Sequence, residues 1–457
     1  MLGFWIIGYL LLNLGIGLWA SRRVSTTQDF VLAGRNLPLL LAASATFATW
    51  FGSETIMGAP TEFVQHGVLG VIEDPFGASL CLFLVGIFFA RRFYQMNIIT
   101  FCDYYRLRYG RRAELLSAML IIPSYFSWIA AQLMAMGIVL KIVLGWSLTE
   151  CILLSSAVVI LYTVWGGMWS ISITDFLQTI LIIVGLSIVA VILYQKTDGL
   201  DRITEKLPDG FFRFYPEFTF KGSVEYFAAW ITIGLGSIPQ QDVFQRVMSA
   251  RSAQTAVRAT LISSFMYLSV ALIPLFIALC GHLLYPELEQ QDGQMIIPQM
   301  VLLHTELPLQ ILFFGALVSA ILSTTSSAIM APAAVLGENV FKFFRPDLTD
   351  RQLLLIIRVG VVVITLICIF MANTRESIFE LVAESSAFSL VSLFVPLAAG
   401  IYWRRANAMG CLLSMMAGLS VWLLCVWLET EYPPLIYGLL GSSSGMLIGV
   451  FFGKKSG

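Results

Sequence analysis

Residues 37–63 read LPLLLAASATFATWFGSETIMGAPTEF, an apolar stretch that is long enough to cross a bilayer but is interrupted along its length. Gly52, Gly58 and Pro60 lie within it, and Glu54 is an acid in apolar surroundings. Lipid offers no partners for backbone groups, so an interrupted span is tolerated where the freed backbone lines a cavity in the protein. The stretch therefore predicts a broken helix beside a binding site rather than a simple anchor.

A second interrupted span, EYFAAWITIGLGSIPQQDVFQRV, occupies residues 225–247. Its interruption contains Gly234, Gly236 and Pro239 and is followed by Gln240, Gln241 and Asp242. The two spans are five helices apart, so they enter the membrane in opposite directions. Two interrupted helices at matching places in inverted halves are typical of a transporter's substrate site. The plainer explanation is that Gly and Pro are common in transmembrane helices.

The composition places the whole chain in a membrane. Of 457 residues, 58% are hydrophobic and 12% are charged, far from the balance of a soluble domain. The net charge of −1 argues against a nucleic-acid partner. The seven cysteines show no pairing pattern, and the three histidines form no cluster, so neither residue type indicates a metal site.

Apolar segments long enough to span a bilayer predict about thirteen transmembrane helices in an all-α membrane protein. They fall at 3–20, 37–65, 67–94, 114–145, 147–165, 167–195, 222–248, 253–285, 309–343, 352–373, 377–403, 408–428 and 433–452.

The loop charges predict the orientation of these helices. Most of the 27 Lys and Arg residues, Arg246 among them, fall in loops on one predicted side, and the opposite side carries acidic loops such as residues 285–293. The positive-inside rule then places the C-terminus in the cytoplasm. No basic region precedes the first apolar segment, and Arg22 and Arg23 follow it, which predicts a retained first helix with its N-terminus outside.

A run of five hydroxyl side chains, residues 323–327, lies in another apolar span, ILSTTSSAIM. On a helix, Ser323, Thr324 and Ser327 share one face and Thr325 points elsewhere. Hard cations are bound by several oxygen ligands, which hydroxyls and the free carbonyls of an unwound helix near Ala48 would supply. A single membrane Ser or Thr more often bonds its own helix, and we expect this of Thr325.

Asp175 is an acid inside the otherwise uncharged span SISITDFLQTILIIVG, residues 170–185. Intramembrane acids are costly and usually face a cavity or a partner. Asp175 could complete a second cation site with Ser326 and Ser327, or it could hydrogen-bond a broken helix. If it binds sodium, replacing it with Asn should lower the number of sodium ions that accompany each solute.

Four segments carry a family resemblance, DFVLAGRNLP (29–38), YTVWGGMWSISITDFLQ (162–178), IPQQDVFQRVMSARS (238–252) and GALVSAILSTTSSAI (315–329). With them the chain resembles the sodium:solute symporter family, which includes sodium–glucose, sodium–proline and high-affinity choline transporters. The resemblance implies a LeuT-type fold in a single transporter domain, with an extra helix (1–23), two inverted five-helix repeats (37–195 and 222–403) and two C-terminal helices (408–452).

The same resemblance implies where sodium binds, as one or two ions. The first sodium site would consist of the carbonyls of Ala48, Phe51 and Ala320 and the hydroxyls of Ser323 and Thr324. A possible second site would consist of Asp175, Ser323, Ser326 and Ser327.

The expected solute site lies between the two interrupted helices, at Trp50, Glu54, Trp128, Gln132, Gln240 and Gln241. Among its relatives the chain looks most like the choline transporters, whose aromatic cage would include Trp50 and Trp128, because Trp faces attract quaternary ammonium groups. The cage is incomplete, since Gln240 and Ala78 stand where aromatic residues are expected. Glu54 could supply a counter-charge to a cation or zwitterion, or it could bond a sugar or an amide. Glu73 and Asp74 are expected to line an outer vestibule or to mark a helix N-terminus.

These observations favour a sodium-coupled symporter in the plasma (inner) membrane that imports a small organic solute. The solute is expected to be a cation or zwitterion, with a sugar or carboxylate as the alternative. Proton coupling remains an alternative because Glu54 and Asp175 could titrate. An intramembrane enzyme would need a nucleophile–base pair or a metal-binding set of residues. A channel would need a repeated pore segment, and a sensor would need a signalling domain. The sequence shows none of these features. It gives no prediction of oligomeric state.

Overall fold

The computed structural model describes residues 1–20, 22, 24–197, 207–285, 293–375 and 377–453. Within these ranges the regular structure is helical, apart from one isolated bridge between Leu37 and Ala250. The expected acidic loop, except its end residues 285 and 293, lies outside the described residues, as do Lys454 and Lys455.

The α-helices are labelled in chain order. They are α1 (Leu2–Ala20), α2 (Thr27–Leu32), α3 (Leu39–Trp50), α4 (Ala59–His66), α5 (Ala78–Leu84), α6 (Ala90–Met96), α7 (Phe101–Tyr109), α8 (Arg111–Ser124), α9 (Phe126–Leu144), α10 (Leu148–Lys196), α11 (Phe220–Gly236), α12 (Gln241–Ser249), α13 (Ala253–Leu284), α14 (Ile296–His304), α15 (Leu307–Val335), α16 (Lys342–Phe344), α17 (Asp350–Ala372), α18 (Ile378–Ser389), α19 (Val395–Tyr402), α20 (Ala408–Trp427) and α21 (Pro434–Phe452). Short π-helical segments join several of them, at Glu54–Gly58, Ile72–Gly77, Val85–Phe89, Leu336–Phe341 and Leu390–Phe394.

Ten helices in the described part of the chain are long and apolar enough to cross a membrane. This count does not confirm the thirteen spans expected from the sequence, and it differs for three reasons. Helix α3 is too short to be counted alone, α11 and α12 are the two short halves of one expected span, and α10 is a single 49-residue element that covers two.

Helix α10 turns sharply at Gly167, which divides it where the sequence predicts two spans. Gly167 has φ 57° and ψ −171°, a backbone conformation that disfavours residues with a side chain. A Cβ atom at this position would also lie 2.7 Å from the Phe30 ring. Glycine is therefore required both by the turn and by the close approach of α2.

The first interrupted span breaks between α3 and the π-helical segment Glu54–Gly58. Helix α3 ends at Trp50, and Phe51 leaves the helical conformation with φ −83° and ψ 78°. The Gly52 amide then bonds the Trp50 carbonyl at 3.0 Å. The Ala48 carbonyl consequently lacks the Gly52 amide that would be its partner in an unbroken helix.

The second interrupted span breaks between α11 and α12. Helix α11 ends at Gly236, and Gln240 is extended, with φ −87° and ψ 145°, before α12 begins at Gln241. The end of α12 is tied to the chain just before α3, because the Leu37 amide bonds the Ser249 carbonyl at 3.0 Å and the Arg251 amide bonds the Leu37 carbonyl at 3.0 Å. Two backbone hydrogen bonds thus connect the two interrupted spans directly.

Helix α15 lies at the centre of the protein, and every residue from Phe313 to Val335 is buried. It packs against α3, α9 and α10. In contrast, α1, α17 and α21 expose large apolar side chains such as Leu11, Phe370 and Phe451. The outer helices thus expose apolar side chains while α15 buries its hydroxyl groups, as expected for a protein surrounded by lipid.

Candidate functional site

The hydroxyl run of α15 meets the carbonyl freed by the break after α3. Ser323 Oγ lies 3.0 Å from the Ala48 carbonyl oxygen, and Thr324 Oγ1 lies 3.2 Å from the same atom. All three residues are completely buried. Neutral oxygen atoms from two helices therefore converge on one point inside the protein, which is the chemistry that a hard cation such as Na⁺ requires.

The remaining residues of the expected first sodium site lie close along the same two elements. Phe51 is the buried residue that directly follows α3, and Ala320 lies about one helical turn before Ser323 and Thr324 on α15. Thr325 bonds the Ile321 carbonyl of its own helix at 2.5 Å. Its hydroxyl is thus used within α15 rather than at the convergence point.

Gly52 lies between this oxygen cluster and the expected solute residues. A Cβ atom at Gly52 would lie 2.9 Å from Thr324 Oγ1, 2.7 Å from Glu54 Oε2 and 2.9 Å from Gln132 Oε1. These contacts are too close for a real side chain. The oxygen cluster and the solute residues are therefore separated by a single glycine, and a side chain at this position would force Thr324, Glu54 or Gln132 to move.

Asp175 joins the oxygen cluster, but it also faces a cation that belongs to the protein. Asp175 Oδ1 lies 2.5 Å from Ser323 Oγ, and Asp175 Oδ2 lies 3.9 Å from a guanidinium nitrogen of Arg246. Arg246 also donates to Thr49 Oγ1 at 2.7 Å and to the Ser327 hydroxyl. The assignment of Arg246 to a loop was wrong, because it lies on α12 and is only 3% exposed.

The four residues of the possible second sodium site are therefore not all free to bind an ion in this conformation. Ser327 contacts Arg246, and Ser326 bonds the Ser323 carbonyl of its own helix at 3.0 Å. A sodium ion at Asp175 would lie beside a guanidinium group, and like charges repel strongly where little water screens them.

Four of the six expected solute residues line one cavity between the two breaks. Trp50, Glu54, Trp128 and Gln240 line it. Gln132 lies behind Glu54 and donates to Glu54 Oε2 at 2.6 Å, while the Trp128 indole donates to Glu54 Oε1 at 3.3 Å. The carboxylate is thus held in place by two neutral donors.

Gln241 does not join this cavity. Its side-chain oxygen accepts the Phe101 amide at 2.6 Å, so it faces α7. Trp50 is anchored from the second interrupted span, because its indole donates to Asp242 Oδ2 at 2.7 Å. The Tyr125 hydroxyl donates to the other oxygen of Asp242 at 2.5 Å.

Several residues of the cavity were not identified from the sequence. Asp74, expected from the sequence to line an outer vestibule or to mark a helix N-terminus, lines the cavity together with Tyr267, Ser385 and Ser386. No local pattern marks Tyr267 or the two serines, because each reaches the cavity through the packing of a distant helix. Asp74 could have been identified from the sequence, because it is an acid that lies directly before an apolar span.

The chain matches the model of the sodium:solute symporter family over residues 30–418. The high-affinity choline transporter 1 of Caenorhabditis elegans is 25% identical, and the alignment covers 91% of this chain and 76% of that protein. The human high affinity choline transporter 1 is 26% identical over 91% of this chain and 75% of its own length. The high-affinity proline transporter PutP of Bacillus subtilis is 25% identical over 96% of this chain and 94% of its own length.

Solved structures show the same fold. A Na⁺-coupled sialic acid symporter in a substrate-bound outward-open state superposes with a TM-score of 0.85 at 18% identity, over 100% of this chain and 99% of that one. MHP1, a nucleobase-cation-symport-1 family transporter, superposes with a TM-score of 0.57 at 16% identity, over 92% of this chain and 95% of that one. The fold is that of LeuT-type transporters. With the family match spanning most of its length, the chain belongs to the sodium:solute symporter family.

Proposed function

We propose that this protein is a sodium-coupled symporter that imports a small organic solute by alternating access. The observation that carries the proposal is the meeting of the Ser323 and Thr324 hydroxyls with the Ala48 carbonyl, one glycine away from the cavity that contains Glu54. Membership of a family of transporters supports it.

Sodium binds at the first site in this proposal, to the carbonyls of Ala48, Phe51 and Ala320 and the hydroxyls of Ser323 and Thr324. The ion would hold the break after α3 against α15 and so favour one conformation over the other. Coupling requires only that sodium and solute each bind one state better than the other.

We assign one sodium ion to each transport cycle. The positive charge beside Asp175 is supplied by Arg246, which is already bound to Thr49 and Ser327. A second sodium at Asp175, Ser323, Ser326 and Ser327 would require that guanidinium group to move away first.

The solute in this proposal is a cation or a zwitterion of choline-, betaine- or amino-acid-like chemistry. Two tryptophans and a carboxylate line the cavity, and no Lys, Arg or His is among its described lining residues. A sugar would leave the carboxylate without a counter-charge, and a carboxylate solute would be repelled by it.

We also propose thirteen membrane crossings in the plasma (inner) membrane, with the N-terminus outside and the C-terminus in the cytoplasm. Residues 37–195 and 222–403 would be the inverted repeats that move relative to one another. The interruptions at Phe51 and Gly236 support this division, because each lies in the first span of its repeat.

Uptake into proteoliposomes tests the proposal. Purified protein is reconstituted, and labelled choline, betaine, proline, ethanolamine, glucose and sialic acid are offered with an inward sodium gradient, with equal sodium on both sides, or with an inward proton gradient. Accumulation that is saturable in one solute and requires the sodium gradient is the expected result. Accumulation driven equally well by protons without sodium, or by neither gradient, would refute sodium coupling.

A further inference from the structure

The solute cavity contains a second buried carboxylate besides Glu54. Asp74 lies in the π-helical segment Ile72–Gly77 and is 1% exposed. Its backbone is extended within that segment, with φ −139° and ψ 120°. Asp74 Oδ1 accepts the Tyr267 hydroxyl at 2.6 Å, whereas Oδ2 has no hydrogen-bond partner. A buried carboxylate oxygen without a donor is costly, so this atom is available to accept a hydrogen bond from a molecule in the cavity.

The Tyr267 hydroxyl, which donates to Asp74 Oδ1, is held in place by further contacts. The Tyr267 hydroxyl also lies 2.6 Å from Thr55 Oγ1 and 3.2 Å from the Trp50 carbonyl. Its single proton is donated to one acceptor at a time. The Tyr267 ring packs edge-on against Phe47 and Phe51 at 6.4 and 6.0 Å. With Tyr267 engaged in this way, a donor to Asp74 Oδ2 can come from the cavity, which Asp74 lines.

Glu54 also has acceptor capacity left over. Each of its oxygens receives one neutral donor, from Trp128 or Gln132, and a carboxylate can accept about four hydrogen bonds. No basic side chain is among the described lining residues, and Arg246 is engaged with Thr49 and Ser327 instead. No group of three or more His, Cys, Asp or Glu in the described ranges could hold a metal ion here.

The size of the cavity limits what can approach the two acids. In this conformation it measures about 20 Å³, which holds about one water molecule. A primary ammonium head group is similar in size to water, whereas a trimethylammonium head group is several times larger. The cavity must widen to admit the whole solute, and in this conformation it has room only for a group about the size of a water molecule.

We propose that the solute is a protonated primary or secondary amine with no carboxylate of its own, whose N–H bonds are donated to Asp74 Oδ2 and to Glu54. Trp50 and Trp128 would pack on its carbon chain and attract its charge. A quaternary ammonium would leave Asp74 Oδ2 without a donor. A zwitterion would bring its carboxylate close to two others. The inference keeps the cation of the proposed function but excludes its quaternary and zwitterionic forms, and it rests on this cavity being the solute site.

A series of amines that differ only in methylation tests the inference. Ethanolamine, N-methylethanolamine, N,N-dimethylethanolamine and choline share a charge and a hydroxyl, but the number of N–H bonds falls from three to none. Binding to the purified protein in detergent and sodium is measured by calorimetry and by the shift in unfolding temperature. We expect affinity to fall along the series, with choline about tenfold or more weaker than ethanolamine, as expected for losing a hydrogen bond to a charged group.

Variants of the two neighbouring acids test whether Asp74 causes the preference for amines with N–H bonds. Asp74→Asn keeps an acceptor for Tyr267 but removes the charge, so ethanolamine should bind about tenfold more weakly and the preference within the series should flatten. Glu73→Gln is the matched control, because Glu73 precedes Asp74 but does not line the cavity, and it should leave the series unchanged.

Each other outcome overturns the inference. These outcomes are equal or tighter binding of choline, tighter binding of betaine or proline, and no binding by any amine. They leave sodium coupling standing if another solute accumulates with the sodium gradient. Loss of sodium dependence with the amine order intact would instead overturn the proposed function alone.

Discussion

The replacement Thr324→Ala removes one predicted sodium ligand with little other change. Thr324 is buried on α15, and its hydroxyl contacts the Ala48 carbonyl at 3.2 Å. Thr325 is the matched control, because it is the same residue type, the next in sequence and equally buried, but bonds Ile321 of its own helix. Both replacements remove the same atoms, so a difference between them reports the position of the hydroxyl.

The expected size of the effect follows from the loss of one polar ligand to a charge. Such interactions are worth about 1.5–3 kcal/mol, and about 1.4 kcal/mol is a factor of ten. Thr324→Ala should therefore raise the sodium concentration for half-maximal uptake about tenfold to one-hundredfold. Ser323→Ala should do the same, and Thr324→Ser, which keeps the hydroxyl, should recover most of the affinity.

The assay is the sodium dependence of uptake at fixed solute in proteoliposomes, with thermal stability of each variant measured alongside. Thr325→Ala should leave half-maximal sodium within about threefold of the unmodified protein, since it loses a bond within its own helix that is worth about 0.5–1.5 kcal/mol at most to folding. If Thr324→Ala and Thr325→Ala behave alike, or if Ser323→Ala and Thr324→Ala both keep the original sodium dependence, this site has no part in coupling.

Three further predictions concern the residues around the ion cluster. Gly52→Ala should impair both sodium and solute binding, because the new methyl group would press on Thr324 and Glu54, whereas Gly8→Ala, with nothing within 4 Å, should leave uptake unchanged. Asp175→Asn should leave the Hill slope for sodium unaltered if one ion is transported, and a lower slope would establish a second. Arg246→Gln should lower the free energy of unfolding by about 3–5 kcal/mol, because it leaves the buried Asp175 carboxylate unpaired. Adding Asp175→Asn to this variant should recover part of the loss, as measured by thermal unfolding. Equal losses in the single and the double variant would contradict the pairing.

The architecture could be predicted from the sequence where local pattern determines structure. Apolar length predicts membrane-spanning helices, and Gly and Pro within a span predict where it breaks, because neither depends on distant residues. The number of separate helices was harder to predict. A break divides one span into two short helices, as at Gly236, and a sharp turn at Gly167 leaves two spans in one element.

The oxygen cluster formed by Ser323, Thr324 and the Ala48 carbonyl was easier to predict from the sequence than the cavity. The face shared by Ser323 and Thr324 follows from helical spacing alone. The pairing of Arg246 with Asp175 and the approach of Asp74 to the cavity depend on how α10, α12 and the segment before α5 pack together. From the sequence alone, Arg246 near the end of a span is predicted to be a loop charge. Only the fold shows that its helix, α12, is buried inside the protein.

The contacts of α12 explain how two sites on different elements can respond to one another. Asp242 accepts the indole of Trp50 at the solute cavity, and Arg246, one turn later on the same helix, donates to Thr49. Helix α12 therefore holds two consecutive residues at the end of α3 through two charged side chains. A shift of the end of α3 relative to α12 would alter both contacts. Losing either contact is costly, because it leaves a buried charge without its partner. In the proposed mechanism, solute and sodium would therefore act on one short segment, and coupling would need no long pathway through the protein.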